Sequence, residues 1–318
     1  MDPLHHLSVC IDNHRNNPPP HLVEAPSPLT FCRDFVAKNS PCTFANVGEH
    51  SVQFSETIRS LPALEELLKN EIVTVNVTPS KQQADAIQSY NNEEKMFLKP
   101  HEQKMKFGTF IERLKSGDPL DDVFYLSAQN DNLRRELPAL ISHIPSSLPL
   151  GEKVFNSTLD AINLWIGNGK STSSTHHDFY ENLYYVAVGQ KIFTVYPPSD
   201  FPFLNEVEIK SGTFANDENN WEVDLDAQKV KWLDVEGQSE TDRARCHAKR
   251  IVVNAGEFFY LPALWFHQVE NSKSPEHSVS VAVNYWYDLD FSLQTFAFYE
   301  FTRSVAEEYK QKNNNKKF

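Results

Sequence analysis

A mainly β fold with some helix is predicted from three features of this sequence. Short β-branched and aromatic segments recur through its second half, at 161–167, 191–196 and 279–287. A His-x-Asp pair lies in another aromatic segment, and an acidic, turn-rich stretch separates the two groups of predicted strands. Many short strands of antiparallel type around such a motif indicate a jelly-roll barrel of the cupin kind, whose mouth can hold a small ligand.

The composition indicates which kinds of partner and which cellular compartment to expect. The chain has 318 residues, 40% of them hydrophobic, and a formal net charge of -13. An acidic surface argues against nucleic acid as the main partner and is compatible with a basic protein or peptide substrate. The start of the chain lacks the pattern of a secretory signal, and no apolar run has the length of a membrane span. Four scattered cysteines favour a reducing compartment, so we expect a soluble protein, cytosolic or nuclear.

Taken in order, the chain divides into a lead-in, an α/β region, the barrel and a terminal helix. Residues 1–28 are rich in Pro and His, and we expect a poorly ordered tail. Residues 29–124 predict helices at 61–68 and 106–115 and a strand at 72–77. The barrel is predicted over 125–304, and 305–318 as the end of a helix with a frayed basic tail.

Two connections within the barrel are predicted from turn residues. Residues 188–190, with Gly189 in the middle, have the composition of a hairpin turn. Residues 200–249 are acidic and turn-rich, so we expect an irregular insertion that forms a lid or a substrate surface.

The central motif is the aromatic stretch 173–185, which we predict to be one strand. Alternate residues of a strand share a face, so His176 and Asp178 would point the same way and could bind one metal ion. A second His would complete the two-His-one-carboxylate site of non-heme Fe(II) oxygenases. His267, after a strand and a bend, is the preferred third ligand; a core His bonded to a carbonyl is the alternative explanation. Other candidate histidines are less favoured: His247, ranked second, and His277, which follows a polar turn.

A cosubstrate pocket is predicted from different residues. Three protein ligands leave room on Fe(II) for 2-oxoglutarate and O2, and the far carboxylate of 2-oxoglutarate then needs a buried cation near a hydroxyl group. Lys191 begins an apolar strand and is the candidate cation. Tyr125 and Ser173 are candidate hydroxyls, and two amides in aromatic strands could orient the keto acid or O2 or bond strand backbone, Asn182 and Asn284.

Four stretches together resemble the JmjC hydroxylases, and most of all their peptidase and (3S)-lysyl hydroxylase subgroup. These stretches are 175–184, 189–191 with 197–200, 260–267 and 282–288, and the likeness extends from about residue 28 to the final helix. The resemblance implies a double-stranded β-helix with an N-terminal α/β region and a C-terminal helix, which often supports a homodimer in this family.

The resemblance also implies roles and a reaction. By it, Fe(II) would be held by three residues, His176, Asp178 and His267. The distal carboxylate of 2-oxoglutarate would be held by Tyr125, Ser173 and Lys191, while Asn182 and Asn284 would line the iron site. The implied reaction is hydroxylation at C3 of a lysine in translation-associated GTPases, with succinate and CO2 as co-products. A peptidase activity is implied by the resemblance alone, because the sequence has no HExxH motif.

Other functions use the same iron site or none. Asparaginyl hydroxylation and N-methyl-lysine demethylation need the same ligands, and their products distinguish them, since demethylation releases formaldehyde. A cupin-like binding protein without turnover is the alternative from another class, and it would be favoured if the protein failed to bind Fe(II).

Overall fold

A computed structural model gives the fold for most of the chain. It describes residues 6–7, 9–10, 19–91, 94–116, 118, 120–217, 220–272, 278–292 and 294–314. The strands within this part are β1 (His21–Leu22), β2 (Cys42–Ala45), β3 (Ile72–Thr78), β4 (Ala86–Gln88), β5 (Met96–Lys99), β6 (His101–Lys106), β7 (Val123–Tyr125), β8 (Leu159–Asn168), β9 (Thr172–His176), β10 (Tyr180–Val188), β11 (Gln190–Tyr196), β12 (Glu206–Asp217), β13 (Asn220–Leu233), β14 (Lys249–Asn254), β15 (Glu257–Leu261), β16 (Phe266–Asn271) and β17 (Val279–Asp288).

Helices occur mainly before the barrel and at the end of the chain. They are α1 (Pro28–Phe31), which continues into a π-helical turn (Cys32–Val36), α2 (Leu61–Leu68), α3 (Phe107–Lys115), α4 (Asn132–Glu136), α5 (Pro149–Val154), α6 (Glu240–Arg243) and α7 (Gln294–Asn314), with 3-10 turns at Pro138–His143 and Pro198–Phe203. The two predicted helices and the predicted strand of the α/β region are found as α2, α3 and β3. No helix in the described residues is long and apolar enough to cross a membrane.

The predicted jelly-roll barrel is confirmed as a double-stranded β-helix of two facing sheets. The larger sheet has the order β1-β2-β15-β10-β17-β8, and the smaller has the order β14-β11-β16-β9. From β8 onward the chain passes from one sheet to the other and back, with β12, β13 and α6 inserted between β11 and β14. The fold is therefore mainly β, as the sequence predicts.

Each face of the larger sheet contacts a separate apolar cluster. Large aromatic side chains fill the space between the two sheets, among them Trp165, Tyr184, Phe193 and Trp286. The opposite face packs against the N-terminal α/β region, where the ring of Phe54 stacks on Tyr185 at 3.8 Å. A sheet covered on both faces needs apolar residues at successive positions, which explains why β17 is buried along almost its whole length.

Two predictions about the central stretch are wrong. The predicted strand 173–185 is two strands, because β9 ends at His176 in the smaller sheet and β10 begins at Tyr180 in the larger one. Residues 188–190 form a corner between the sheets and not a hairpin, since β10 and β11 pair with different strands. Gly189 at this corner has a φ of 71°, and a Cβ there would lie 2.7 Å from the carbonyl oxygen of Val279. A sharp corner and a hairpin both favour glycine, so composition did not separate them.

The predicted tail and insertion also need correction. Residues 21–22 form β1 and pair in parallel with β2, so the last part of the expected tail belongs to the larger sheet, while much of its first part lies outside the described residues. The insertion is not irregular: β12 and β13 form a long antiparallel hairpin, and β12 also pairs with β5. The alternation of apolar residues at 221, 223 and 225 with acidic ones indicates a strand, although the composition of the segment is acidic.

Candidate metal centre

Three side chains that could hold a metal ion converge at the mouth of the barrel. One ligand atom from each of His176, Asp178 and His267 lies within 4.8 Å of the other two. His176 on β9 and His267 on β16 are directly opposite each other across an antiparallel pair. Asp178 lies on the link between β9 and β10, with its carboxylate 3.9 Å from His176 Nε2 and 3.6 Å from His267 Nε2. The structure thus brings together the predicted ligands, although Asp178 comes from the link and not from a shared strand face.

Hydrogen bonds fix the orientation of both imidazoles. His176 Nδ1 donates to the carbonyl oxygen of Ser174 at 2.7 Å, and His267 Nδ1 donates to that of Trp265 at 3.0 Å. A carbonyl oxygen only accepts, so each Nδ1 carries a proton, and each Nε2 is left on the side of Asp178, where it can bind a metal ion. Burial, reinforced by His176, lowers the pKa of His267 to about 4, against a smaller opposing effect of Asp178. Two imidazoles and one carboxylate are a donor set that fits Fe(II).

Lys191 lies in the same sheet as the two histidines and is fully buried, with 0% exposure. Its Nζ is 3.4 Å from the hydroxyl of Tyr125 and 5.2 Å from the centre of that ring. Burial lowers the pKa of Lys191 to about 7. Among the described residues no carboxylate forms an ion pair with Lys191, so the site has a place for an anion.

Tyr125 and Ser173 extend this polar pocket towards the metal ligands. Burial raises the pKa of the Tyr125 hydroxyl, and hydrogen bonding with Ser173 and Asn271 partly offsets that rise. Both Tyr125 and Ser173 line an outer cleft of about 330 Å³ that also contacts His176 and Asp178. This volume falls in the range of small-molecule sites.

A smaller chamber of about 20 Å³ lies deeper, between the two sheets, and polar atoms line it. Asn284 Nδ2 donates to Asn182 Oδ1 at 3.4 Å, and Asn284 Oδ1 accepts from Trp165 Nε1 at 2.9 Å. The hydroxyl of Tyr184 and Nε1 of Trp286 are buried there and have no hydrogen-bond partner in the part of the chain that the structure describes. Unpartnered buried donors are costly, so these groups favour a small polar group at the inner end of the cleft, and the chamber has room for about one group the size of a water molecule.

Several residues at the site were not predicted from the sequence. Trp232, on β13 of the insertion, lies nearly parallel to the His176 ring, with 6.2 Å between centroids, and donates from Nε1 to Ser174 Oγ at 3.1 Å. Tyr184 and Trp286 were assigned only to strands. For Trp232 the available sequence signal was its place in a segment where apolar and charged residues alternate, which is typical of a strand.

The less favoured histidines have other positions. His247 Nδ1 lies 2.7 Å from Asp200, which is completely buried, so this His belongs to a separate hydrogen-bonded pair. His277 lies outside the described residues. His177, between the two metal ligands, packs away from them and makes a 2.9 Å hydrogen bond with the hydroxyl of Tyr299 on α7.

Comparisons with known proteins agree with this geometry. A cupin-like domain matches residues 28–293. JmjC domain-containing protein E of Dictyostelium discoideum is 33% identical over 93% of this chain and 91% of its own length. The human bifunctional peptidase and (3S)-lysyl hydroxylase JMJD7 is 33% identical over 91% and 89% of the two chains. The lysine-specific demethylase JMJ32 of Arabidopsis thaliana is 29% identical over 88% and 84%.

Each relative covers most of both chains, and the domain match spans the whole barrel and most of the region before it. The family resemblance predicted from the sequence is thereby confirmed. The chain belongs to the cupin-like JmjC family of Fe(II)- and 2-oxoglutarate-dependent oxygenases.

Proposed function

We propose that this chain hydroxylates C3 of a lysine in a translation-associated GTPase. The balanced reaction consumes 2-oxoglutarate and O2, inserts one oxygen atom into the substrate C–H bond, and releases succinate and CO2. The observation that carries the proposal is the placement of the His176–Asp178–His267 cluster and the buried Lys191–Tyr125 pair around one cleft. The human relative named as a (3S)-lysyl hydroxylase supports lysine as the target.

In this proposal His176, Asp178 and His267 hold Fe(II), which with O2 and 2-oxoglutarate supplies the oxidising chemistry when bound. Lys191 supplies the positive charge for the distal carboxylate of 2-oxoglutarate. Tyr125 and Ser173 are the hydroxyl groups that would hydrogen-bond the same carboxylate. A charge-assisted bond in a site without water is stronger than the same bond at the surface.

The residues that line the smaller chamber would orient the groups bound at the iron and exclude water from them. Asn182 and Asn284 present amide groups beside the iron site, and their position between the two sheets keeps them fixed. Trp165, Tyr184 and Trp286 surround them with large rings. Such a dry lining protects reactive chemistry from side reactions with water.

Removal of an N-methyl group from lysine is a second candidate, favoured by the Arabidopsis relative named as a lysine-specific demethylase. Both reactions present a lysine side chain to the same metal ligands. The products separate them, because C3 hydroxylation leaves one added oxygen on the peptide, whereas demethylation removes a methyl group as formaldehyde.

The test is turnover of 2-oxoglutarate by the purified protein with Fe(II) and a lysine-containing GTPase fragment, with mass spectrometry of the fragment. We expect succinate formation and one added oxygen on lysine, both lost in Asp178→Ala. Succinate without any change in the fragment would reject this substrate. An unchanged rate in Asp178→Ala would reject the metal centre itself.

Peptidase activity, named for the human relative, is outside the proposal. Cys246, next to the His247–Asp200 pair, is the thiol that such an activity would first suggest. Burial, reinforced by Asp200, raises the pKa of this thiol to about 12. A thiol that stays protonated at neutral pH is a poor nucleophile, so this cluster does not support peptide cleavage.

A further inference from the structure

The outer cleft contains one carboxylate whose role the proposed hydroxylation does not yet explain. Three acidic residues line the cleft: Asp85, Asp178 and Glu206. Asp178 belongs to the metal centre, and Glu206 forms an ion pair with Arg303 at 3.5 Å. Within the described chain, the Asp85 side chain has neither an ion pair nor a hydrogen bond.

Backbone contacts hold Asp85 beside the strand that carries His176. The preceding residue, Ala84, forms a parallel bridge with Ser173, and the Ser174 hydroxyl donates to the carbonyl oxygen of Asp85. Asp85 has a φ of 51°, in the left-handed region that Asp and Asn tolerate better than most residues. These contacts fix the backbone position from which the Asp85 side chain extends.

The surroundings of Asp85 fit the aliphatic part of a lysine side chain. The same Ser174 hydroxyl accepts from Trp232 Nε1 at 3.1 Å, so Asp85 and Trp232 are tied to one residue of β9. Trp165 and Phe266 also line the cleft. Apolar rings beside a lone carboxylate provide the two environments that a lysine needs, one for its methylene groups and one for its ammonium.

A purely structural role for the Asp85 carboxylate, as the partner of a cation within the protein, has less support than a role in binding substrate. Lys99 is the lysine whose charge acts on Asp85, but its own partner is Asp226 at 3.0 Å. Burial raises the pKa of the Asp85 carboxyl, and the opposing effects of His176 and Lys99 are smaller. A partly buried carboxylate of this kind gains most from a cation that arrives with the substrate.

We propose that Asp85 binds the ammonium group of the substrate lysine, with Trp232 packing against its methylene groups. This assignment rests on the proposed lysine substrate and adds the residue that selects it. In this arrangement the ammonium is neutralised inside the cleft while the carbon to be oxidised faces the metal ligands. A peptide with an uncharged aliphatic residue in place of lysine would leave the Asp85 carboxylate without a partner.

The test is equilibrium binding of two fluorescent peptide pools, with either lysine or norleucine fixed at the centre of randomised sequence. We expect wild type to prefer the lysine pool, and Asp85→Asn to weaken lysine binding roughly ten- to hundredfold, as for loss of a charged hydrogen bond. Norleucine binding should not change. Asp224→Asn, which removes one exposed carboxylate from the insertion hairpin, controls for net charge and should leave both pools unaffected.

The outcomes separate this assignment from the proposed reaction. The role of Asp85 is overturned if wild type binds both pools equally, or if Asp85→Asn binds the lysine pool as tightly as wild type does. A lysine preference that Asp85→Asn abolishes supports it, even if mass spectrometry then finds no oxygen added to lysine. In that case the hydroxylation fails while the lysine site stands. Unchanged thermal unfolding and 2-oxoglutarate binding in Asp85→Asn exclude a loss of fold.

Discussion

The main electrostatic cost in the candidate cosubstrate pocket is the burial of the Lys191 ammonium group. It is completely buried, and the hydroxyl of Tyr125 at 3.4 Å is its hydrogen-bond partner. A phenol satisfies one of the three donors of an ammonium group but does not neutralise its charge. The pocket therefore suits an anion, and under the proposed function the binding of 2-oxoglutarate depends on the protonation of Lys191.

We predict that 2-oxoglutarate affinity decreases as pH rises above about 7. Without ligand the pKa of Lys191 is lowered to about 7, so at higher pH the site must take up a proton when the dianion binds. The dissociation constant should then rise by up to about tenfold per pH unit. Tyr125 stays neutral throughout, since burial raises its pKa. The measurement is anaerobic titration of the Fe(II) protein with 2-oxoglutarate between about pH 6 and about pH 9.

A matched pair of variants assigns this dependence to Lys191. Lys191→Met should bind 2-oxoglutarate weakly and without the slope, while Lys210→Met, at an exposed lysine of the insertion, should behave as wild type. The free energy of unfolding of the ligand-free protein changes with pH in the opposite direction to the 2-oxoglutarate affinity. Between about pH 7 and the ordinary lysine pKa the unfolded chain binds more protons, so the free energy of unfolding rises with pH. A pH dependence of 2-oxoglutarate affinity that persists in Lys191→Met would contradict its assignment to Lys191.

Sequence alone could predict the three candidate metal ligands but not the residues around them. A His-x-Asp pair is a local pattern, and His267 follows a recognisable strand and bend. By contrast, Asp85 and Trp232 line the same cleft because Ala84 bridges to Ser173 and Trp232 donates to Ser174. Contacts between distant segments depend on sheet register, which residue spacing does not encode.

At the scale of elements, α7 supports the metal centre from behind. Tyr299 on α7 bonds His177 at 2.9 Å, and Arg303 donates to the Tyr299 hydroxyl at 3.2 Å. Arg303 also pairs with Glu206, the first residue of the insertion hairpin. His177 lies between the two metal ligands in the chain, so the helix fixes the link that carries Asp178.

We predict that Tyr299→Phe weakens Fe(II) binding about tenfold while lowering the free energy of unfolding by only about 1 kcal/mol. The phenylalanine keeps the ring but leaves His177 without its hydrogen bond, so Asp178 loses a constraint on its position. Metal titration and thermal unfolding measure the two effects separately. Tyr285→Phe removes a similar hydrogen bond, to the carbonyl of Pro145 at 2.8 Å, and should reduce stability without affecting iron. Equal iron affinities in the two variants would contradict a positioning role for Tyr299.

The positions of the strands could be predicted well, but their assignment to sheets could not. Aromatic and β-branched runs marked β8, β11, β15 and β17 because the interior of the barrel demands such residues along each strand. The break after His176 was missed, since the polar and aromatic residues at 177–179 differ little from those of a strand. Lys191 was predicted as the buried cation from its place at the start of an apolar strand, and that strand, β11, reaches β9 only through β16.

At the scale of the whole molecule, the metal centre and the chamber beside it connect the two sheets of the barrel. His176 and His267 come from the smaller sheet, whereas Asn182 and Asn284 come from the larger one. Asp178 lies on the link that passes between them. A metal ion with 2-oxoglutarate bound would therefore add a connection between the strands of the two sheets, and its binding should be visible in the stability of the entire barrel.

We predict that Fe(II) and 2-oxoglutarate together raise the unfolding temperature of the protein, measured anaerobically. Ligand at one hundred times its dissociation constant stabilises the native state by about 2.7 kcal/mol, which corresponds to a shift of roughly 5 °C for a domain of this size. 2-Oxoglutarate alone should shift the unfolding temperature less, because part of its binding depends on the metal. Asp178→Ala removes the charged ligand and should abolish the shift due to Fe(II). A shift of equal size in that variant would place the bound iron elsewhere, with the histidines at 5, 6 and 14 as the first alternative.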